Sequence, residues 1–120
     1  SANSPCQYAI AKYLDIFDPY HNQNLMQKKR DIFNELIKET PFIVEHIAEG
    51  AVFQLVNFRN ISTTMTDVEF SKWLTVDKGV ACLPLSAFYN SKNNSDYLRF
   101  SFAKNDELIT NALEHLRKTL

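Results

Sequence analysis

One arginine stands out among the side chains of this sequence that could do chemistry. The arginine, Arg99, lies in the stretch DYLRFSFAK, residues 96–104. Leu98, Phe100 and Phe102 alternate in this stretch as one buried face of a β-strand would, and the arginine falls on the opposite face. A charged side chain is costly to bury without a partner, so this position indicates a partner for the guanidinium. The alternative is a solvated arginine whose stem covers apolar neighbours.

The other reactive side chains form no group that is typical of catalysis or metal binding. Cys6 and Cys82 are far apart, and no short-spaced cluster of cysteine and histidine predicts a zinc site. Cys82 lies in an apolar, strand-like run, which predicts a buried and inert thiol. The two glycines are too few for a phosphate-binding loop, and no carboxylates pair for acid–base chemistry. We therefore assign no catalytic and no metal-ligating residue in this chain.

Composition places the chain among small globular domains. Its 120 residues are enough for one domain, and 45% hydrophobic with 12% aromatic residues favours a packed core over disorder. The net charge of -1 gives no indication of a nucleic-acid or membrane partner. The apolar runs are too short to cross a bilayer, and the first residues do not read as a signal peptide. A cytoplasmic location is the expectation.

Two helices are predicted at the start of the chain. The first covers 5–17, with Ser4 as its N-cap, and its apolar residues recur at helical spacing. The second covers 19–39, begins after Asp18 and ends before Pro41. Its first two turns are polar and its later part carries the apolar stripe. Such a pattern is typical of a long helix that bridges two structural units.

The rest of the chain is predicted to alternate between short strands and helices. The order along the chain is strand 42–47, strand 52–58, helix 66–79, strand 80–84, the strand of Arg99, and a helix from 105 onward. Strand 52–58 is an apolar run, which predicts burial on both faces. The whole order predicts an α/β (α+β) architecture, in which helices cover a small sheet of about four strands and a long helix precedes it.

The sequence also resembles a known family. The stretches GVACLPLSAFY and YLRFSFAK, in this order and separated by a polar loop, are similar to the C-terminal part of class I/II, fold-type-I, pyridoxal-phosphate-dependent aminotransferases. The resemblance is greatest to the branch with the kynurenine and methionine aminotransferases. Earlier stretches, SPCQYAIAKYL, KKRDIFNELIKETPF and EGAVFQLVNFRNIS, are similar to preceding segments of the same family. The match covers essentially the whole chain.

This resemblance implies how the chain is organised. Residues 1–18 would form a helix that packs on a large domain outside this sequence, 19–40 the interdomain helix, and 41–120 the C-terminal small domain. The full-length protein would be a homodimeric enzyme that uses pyridoxal 5'-phosphate (PLP) to transfer an amino group from an amino acid to a 2-oxo acid. In the family, the lysine that binds PLP and the other cofactor-binding residues precede this region. The chain alone is therefore expected to bind no PLP and to have no transaminase activity.

The resemblance also implies a role for individual residues. Arg99 matches the arginine that holds the α-carboxylate of the amino-acid substrate in the family. Phe53 and Phe88 are further candidates to line the substrate cleft, although aromatic residues at such positions are also common in cores. Leu85 stands where many relatives have glycine, so this turn needs ordinary backbone angles. Such departures leave the preferred amino acid and oxo acid open.

A second class of function stays open at this point. The chain could be a free-standing, non-catalytic α/β domain that binds a small carboxylate or a protein partner, and Arg99 would then hold any carboxylate. In either case, helix 5–17 and the start of helix 19–39 should expose apolar side chains. We expect these exposed stripes to promote self-association of the chain.

Overall fold

A computed structural model describes residues 2–91 and 93–120 of the chain. Within these residues the elements are helices α1 (Ser4–Leu14) and α2 (Pro19–Ile37), strand β1 (Phe53–Asn57), helix α3 (Asp67–Lys78), strand β2 (Leu83–Pro84), a 3-10 helix (Leu85–Phe88), strand β3 (Tyr97–Ser101) and helix α4 (Asp106–Thr119). The described elements confirm the predicted α/β class.

The sheet is antiparallel, and its strands are ordered β1–β3–β2. The strand of Arg99, β3, is therefore the central one. Leu55 of β1 and Leu83 of β2 are the residues directly opposite Arg99. A side chain in the middle of a central strand is held by ladders on both sides, which makes this position a rigid mount.

The described sheet has three strands where about four were predicted. Segment 42–47 forms only an isolated bridge, between Ile43 and Asn57. In segment 80–84 only Leu83 and Pro84 pair with β3. Sequence patterning identified the right regions, but it overestimated how far each one pairs.

A buried glutamine explains why segment 42–47 does not extend into a strand. The side chain of Gln54 donates a hydrogen bond to the carbonyl of His46 (2.8 Å) and accepts one from the N–H of Ala48 (3.0 Å). Backbone polar groups need a partner when they leave water, and a side-chain amide can take the place of a neighbouring strand. The segment is thus held to β1 by the Ile43–Asn57 bridge and by the Gln54 side chain, and not by a continuous ladder.

The hydrophobic core lies between one face of the sheet and helices α2, α3 and α4. Phe100 of β3 meets Phe33 of α2 and Phe42, with ring centroids 5.8 Å apart in both pairs. The buried positions of β1, Gln54 and Val56, alternate with exposed Phe53 and Leu55, so the prediction that this strand is buried on both faces is wrong. The helices cover only one face, and the other face is left for Arg99.

Most helix starts follow the signals in the sequence, whereas α1 ends at Leu14 and α2 at Ile37, before the predicted ends at 17 and 39. Thr66 and Glu69 form the capping box that begins α3, and Gly79 ends it with a left-handed φ of 67°. Asp18 caps α2 by accepting a hydrogen bond from the N–H of Tyr20 (2.9 Å). Asn3, and not Ser4, caps α1. These local interactions fix where each element begins, and α3 matters most because it supports the site described below.

Helix α1 leaves its apolar side chains largely uncovered. It has no buried residue, and Tyr8 and Leu14 are 75% and 62% exposed. The exposed apolar stripe predicted for the start of the chain is therefore present. None of the described helices combines the length and the apolar character needed to cross a membrane.

Candidate carboxylate-binding site

Arg99 lies on the sheet face opposite the helices. Its neighbours in the strand, Leu98 and Phe100, point into the core, and their burial alternates with the half-buried positions on the arginine's face. This alternation is the structural form of the pattern seen in the sequence. The fold therefore presents one guanidinium at the centre of an uncovered face.

Two phenylalanine rings flank this guanidinium. The central carbon of Arg99 lies 4.1 Å from the ring centroid of Phe53 and 4.1 Å from that of Phe88. A cation is attracted to the face of an aromatic ring. Because the N–H donors of a guanidinium lie in its own plane, rings stacked on its faces orient it and leave the donors at its edges.

The guanidinium of Arg99 has no polar partner among the described residues. Its Nε is buried and forms no hydrogen bond within the part of the chain that the structure covers. Asn34 is the other described residue with unpartnered buried side-chain atoms. Leaving a buried donor unpaired costs about 1–3 kcal/mol. Because Nε itself is buried, the donors that acceptor oxygens of a ligand could meet are the terminal N–H groups of the guanidinium, which also lack a partner among the described residues.

The other three arginines of the sequence make a clear contrast. Arg30, Arg59 and Arg117 each form an ion pair with a nearby carboxylate, with N···O distances of 2.7 Å. Arg99 forms no ion pair with a described residue. Its charge is near two aromatic rings, and the attraction of a cation to a ring is weaker than its attraction to a carboxylate.

An open pocket of about 490 Å³ adjoins the aromatic pair at Phe53. Its wall is largely apolar, and its polar lining residues include Tyr97 and Glu45. The Tyr97 hydroxyl donates a 2.6 Å hydrogen bond to a Glu45 carboxylate oxygen, and this bond raises the pKa of Tyr97, so that the hydroxyl stays protonated. The lining residues are Glu45, His46, Ile47, Ala48, Phe53, Gln54, Leu55, Leu85, Tyr89 and Tyr97.

The described side chains around Arg99 can bind but supply no group suited to react with a carbonyl or an amine. None of the described lysines lines the adjoining pocket. Within residues 2–91 and 93–120, no group of three or more histidine, cysteine and acidic side chains is arranged to hold a metal ion. The arrangement of Arg99 between Phe53 and Phe88 fits recognition of a carboxylate.

The two cysteines take no part in this site. Cys82 is buried, and burial raises the pKa of its thiol to about 11, while a hydrogen bond with Ser71 acts in the opposite direction. At neutral pH the thiol is protonated and therefore a poor nucleophile. The prediction of a buried, inert Cys82 is confirmed, and Cys6 is exposed on α1.

The structure brings together all three residues singled out as site candidates, Arg99, Phe53 and Phe88. Their proximity is a finding, whereas their contact with a substrate stays a prediction. Leu85 begins the 3-10 helix with no left-handed backbone angle, as expected from its departure from glycine. Tyr89 and Tyr97 also line the adjoining pocket, and neither was a predicted site residue. Tyr97 lies on the same face of β3 as Arg99, so strand alternation could have identified it, whereas Tyr89 follows the 3-10 helix in a segment without alternation.

Comparisons with known proteins agree on one family. The family model "Aminotransferase class I and II" matches residues 4–116. The methionine aminotransferase of Escherichia coli is 36% identical over 121 residues, and kynurenine–oxoglutarate transaminase 3 of Homo sapiens is 28% identical over 134 residues. A crystal structure of an Escherichia coli protein with a methionine aminotransferase function superposes with a TM-score of 0.88 at 36% identity.

These matches cover nearly all of this chain but only a part of each relative. They cover 98% and 95% of this chain in the two relatives, but only 31% and 29% of the relatives themselves. The match to the solved structure likewise covers 98% of this chain and 31% of the chain in that structure. The chain thus spans about a third of the length of the proteins it matches.

Proposed function

Because the chain belongs to the class I and II aminotransferase family, we propose that it is part of an enzyme that transfers an amino group from an amino acid to a 2-oxo acid. In that enzyme Arg99 binds the α-carboxylate that both substrates carry. The observation that carries this assignment is the buried, unpartnered Nε of Arg99 between two phenylalanine rings.

The chemistry of the guanidinium suits this role. It offers two parallel N–H donors, which match the two oxygens of a carboxylate and fix its orientation as well as its charge. A carboxylate clamped in this way fixes the position of the Cα–H bond beside it, and orientation of reacting groups is a major source of rate. Arg99 and the carboxylate-binding site around it, called the clamp below, are held rigid because the central strand β3 is paired on both sides.

Phe53 and Phe88 strengthen the clamp. Both rings are partly exposed to solvent, and each ring centroid lies 4.1 Å from the central carbon of the guanidinium. Apolar rings this close lower the local dielectric constant, and a charge pair is stronger where that constant is lower.

Family membership implies that the full-length enzyme uses PLP. The described residues do not include a lysine in the site, so we assign no residue of this chain to the cofactor. The PLP-binding residues belong to other parts of the full-length protein. A homodimeric state and a cytoplasmic location also remain predictions from the family resemblance.

The division of the chain follows from the same proposal. Residues 41–120 form the small domain that carries the clamp, 19–40 form the interdomain helix, and 1–18 pack on a large domain. The exposed apolar side chains of α1 support this division, because a helix without a buried residue needs a further surface to cover it.

Transaminase activity should be found in the full-length protein and not in the 120-residue chain. The full-length protein should convert an amino acid to its oxo acid with 2-oxo-acid acceptors, and it should show a PLP absorbance band that borohydride abolishes. The isolated chain should show neither, since none of the described lysines lines the pocket beside Phe53. A carboxylate-binding full-length protein without amino transfer would favour the alternative of a non-catalytic binding domain.

The isolated chain should self-associate through α1. In sedimentation at increasing concentration, its mean mass should rise, because apolar side chains such as Tyr13 and Leu14 are exposed on this helix. The double variant Tyr13→Ser, Leu14→Ser should remain monomeric. Val76→Ser, which removes a single exposed apolar residue from α3, serves as the control and should associate like the parent chain. A parent chain that stays strictly monomeric would contradict the proposal that another surface covers the apolar side chains of α1.

A further inference from the structure

We propose that Asp67 is a positioning residue, which holds Phe88 against the guanidinium of Arg99 by binding Ser86. The consequence for catalysis rests on the proposed function of Arg99. The positioning itself is a property of the fold and can be tested without any enzyme assay.

The carboxylate of Asp67 accepts two hydrogen bonds from Ser86. It is fully buried, at 0% exposure, and lies at the first residue of α3. One oxygen accepts a hydrogen bond from the Ser86 backbone N–H (2.8 Å), and the other accepts one from the Ser86 hydroxyl (2.9 Å). The second oxygen also accepts from the N–H of Val68 (3.1 Å). A negative charge is favourable at this end of a helix because of the helix dipole.

The 3-10 helix that carries Phe88 has little else to hold it. None of its four residues, Leu85–Phe88, is buried, and no side chain caps its start. The pairing of Leu83 and Pro84 with β3 fixes the chain just before it. Among the described hydrogen bonds, the two that Ser86 donates to the Asp67 carboxylate are the side-chain bonds that tie this short helix to another element.

The support behind Asp67 is rigid. Phe70 and Leu74, one and two turns further along α3, are fully buried in the core. The start of α3 therefore cannot move without disturbing that packing. Asp67 transfers this rigidity to Ser86, and Ser86 is two residues before Phe88 in the same turn. The position of the Phe88 ring over Arg99 follows from that link.

The two rings on Arg99 are held by independent means. Phe53 lies in β1 and is fixed by the ladder to β3, opposite Ser101. No described hydrogen bond links Asp67 to Phe53 or to the rest of β1. A change at Asp67 should therefore release one ring and leave the other in place. This difference gives the test an internal reference.

Nuclear magnetic resonance of the 120-residue chain can measure the position of each ring. Aromatic rings shift the resonances of the Arg99 side chain, and the variants Phe88→Leu and Phe53→Leu give the contribution of each ring. In Asp67→Asn the Phe88 contribution should be reduced and the Phe53 contribution retained, because in either orientation of the amide its NH2 group faces a backbone N–H, that of Ser86 or that of Val68.

The matched control is Glu69→Gln. Glu69 belongs to the same helix start, and its carboxylate takes part in the capping box but does not contact Ser86. This variant should leave both ring contributions unchanged. If Asp67→Asn also leaves the Phe88 contribution unchanged, the proposal is overturned. If Asp67→Asn does not fold, Ser86→Ala decides: a reduced Phe88 contribution supports the proposal, and an unchanged one overturns it.

Kinetics of the full-length enzyme then test the consequence. Asp67→Asn should raise KM for amino acid and oxo acid by about tenfold with a smaller change in kcat, since a misplaced wall weakens carboxylate binding. Glu69→Gln should change neither constant. If Arg99→Ala leaves the kinetics unchanged, the proposed function fails, while the resonance measurements still decide whether Asp67 positions Phe88.

Discussion

Arg99→Ala should lower kcat/KM of the full-length enzyme for amino acids by about 100- to 10,000-fold. The substitution removes two charge-assisted hydrogen bonds, each about 1.5–3 kcal/mol, and every 1.4 kcal/mol corresponds to a factor of ten in rate. The effect should appear with both amino acid and oxo acid, because both carry the carboxylate. Steady-state kinetics with each substrate measure it.

Two further variants separate the clamp from a general loss of charge. Arg99→Lys keeps the positive charge but presents a point charge in place of the planar fork, so it should recover only part of the lost rate. Arg117→Ala removes a surface arginine whose partner is Glu39, and its kinetics should match those of the parent enzyme. Both variants should still fold, since Arg99 and Arg117 lie outside the buried core.

The carboxylate itself can be removed from the substrate side. An amine analogue that lacks the α-carboxylate should react slowly with the parent enzyme and no more slowly with Arg99→Ala. If the parent enzyme and Arg99→Ala instead turn over amino acids equally, the assignment is wrong. The aromatic pair would then hold the arginine for a structural reason only.

The face of Arg99 could be predicted because the relevant signal is local. Side chains alternate across a strand, so Leu98 and Phe100 determine the side on which Arg99 lies without any knowledge of the fold. The helix caps are predictable for the same reason, since a capping box is completed within four residues. Local rules of this kind account for most of the element order.

The number of paired strands depended on an interaction that is not local. Gln54 binds the backbone of segment 46–48 with its side chain and removes the need for a neighbouring strand there. In the sequence it reads only as one polar residue within an apolar strand. Its partners are six and eight residues away, beyond a loop whose course no periodic pattern reveals.

The walls of the site were hidden from the sequence for a similar reason. Asp67 and Ser86 are 19 residues apart, and an aspartate in the first turn of a helix is common without any distant partner. Tyr97 and Glu45 are 52 residues apart. Phe88 precedes a polar loop with no alternation, so its approach to Arg99 could only be a candidate contact. A carboxylate clamp is thus readable from one strand, whereas its surroundings require the fold.

Helix α3 links the stability of the domain to the site. It buries Phe70 and Leu74 on one side, and its first residue, Asp67, holds the 3-10 helix of Phe88. The same helix therefore serves the core and the clamp. A substitution that loosens the core beneath α3 should affect the site even without touching a residue that contacts substrate.

Phe70→Ala should destabilise the isolated chain by about 3–5 kcal/mol, as is usual for a large aromatic residue removed from a core. Phe70 is 1% exposed, and its ring stacks on Phe58 at a centroid distance of 4.4 Å. It also meets Phe42 edge-on at 6.1 Å and Trp73 at 5.2 Å. A domain of this size has a total stability of about 5–15 kcal/mol, so the variant should be close to unfolding.

Urea denaturation followed by circular dichroism measures this loss, and Trp73 fluorescence reports the same region. Val76→Ala is the matched control, because Val76 is on the same helix and 81% exposed, and its stability should change by no more than about 0.5 kcal/mol. Phe70→Leu keeps much of the side-chain volume, so its loss of stability should be smaller than that of Phe70→Ala and larger than that of Val76→Ala. A loss below about 1 kcal/mol in Phe70→Ala would mean that the core collapses around the cavity. In that case α3 would shift, and the Phe88 contribution to the Arg99 resonances should change with it.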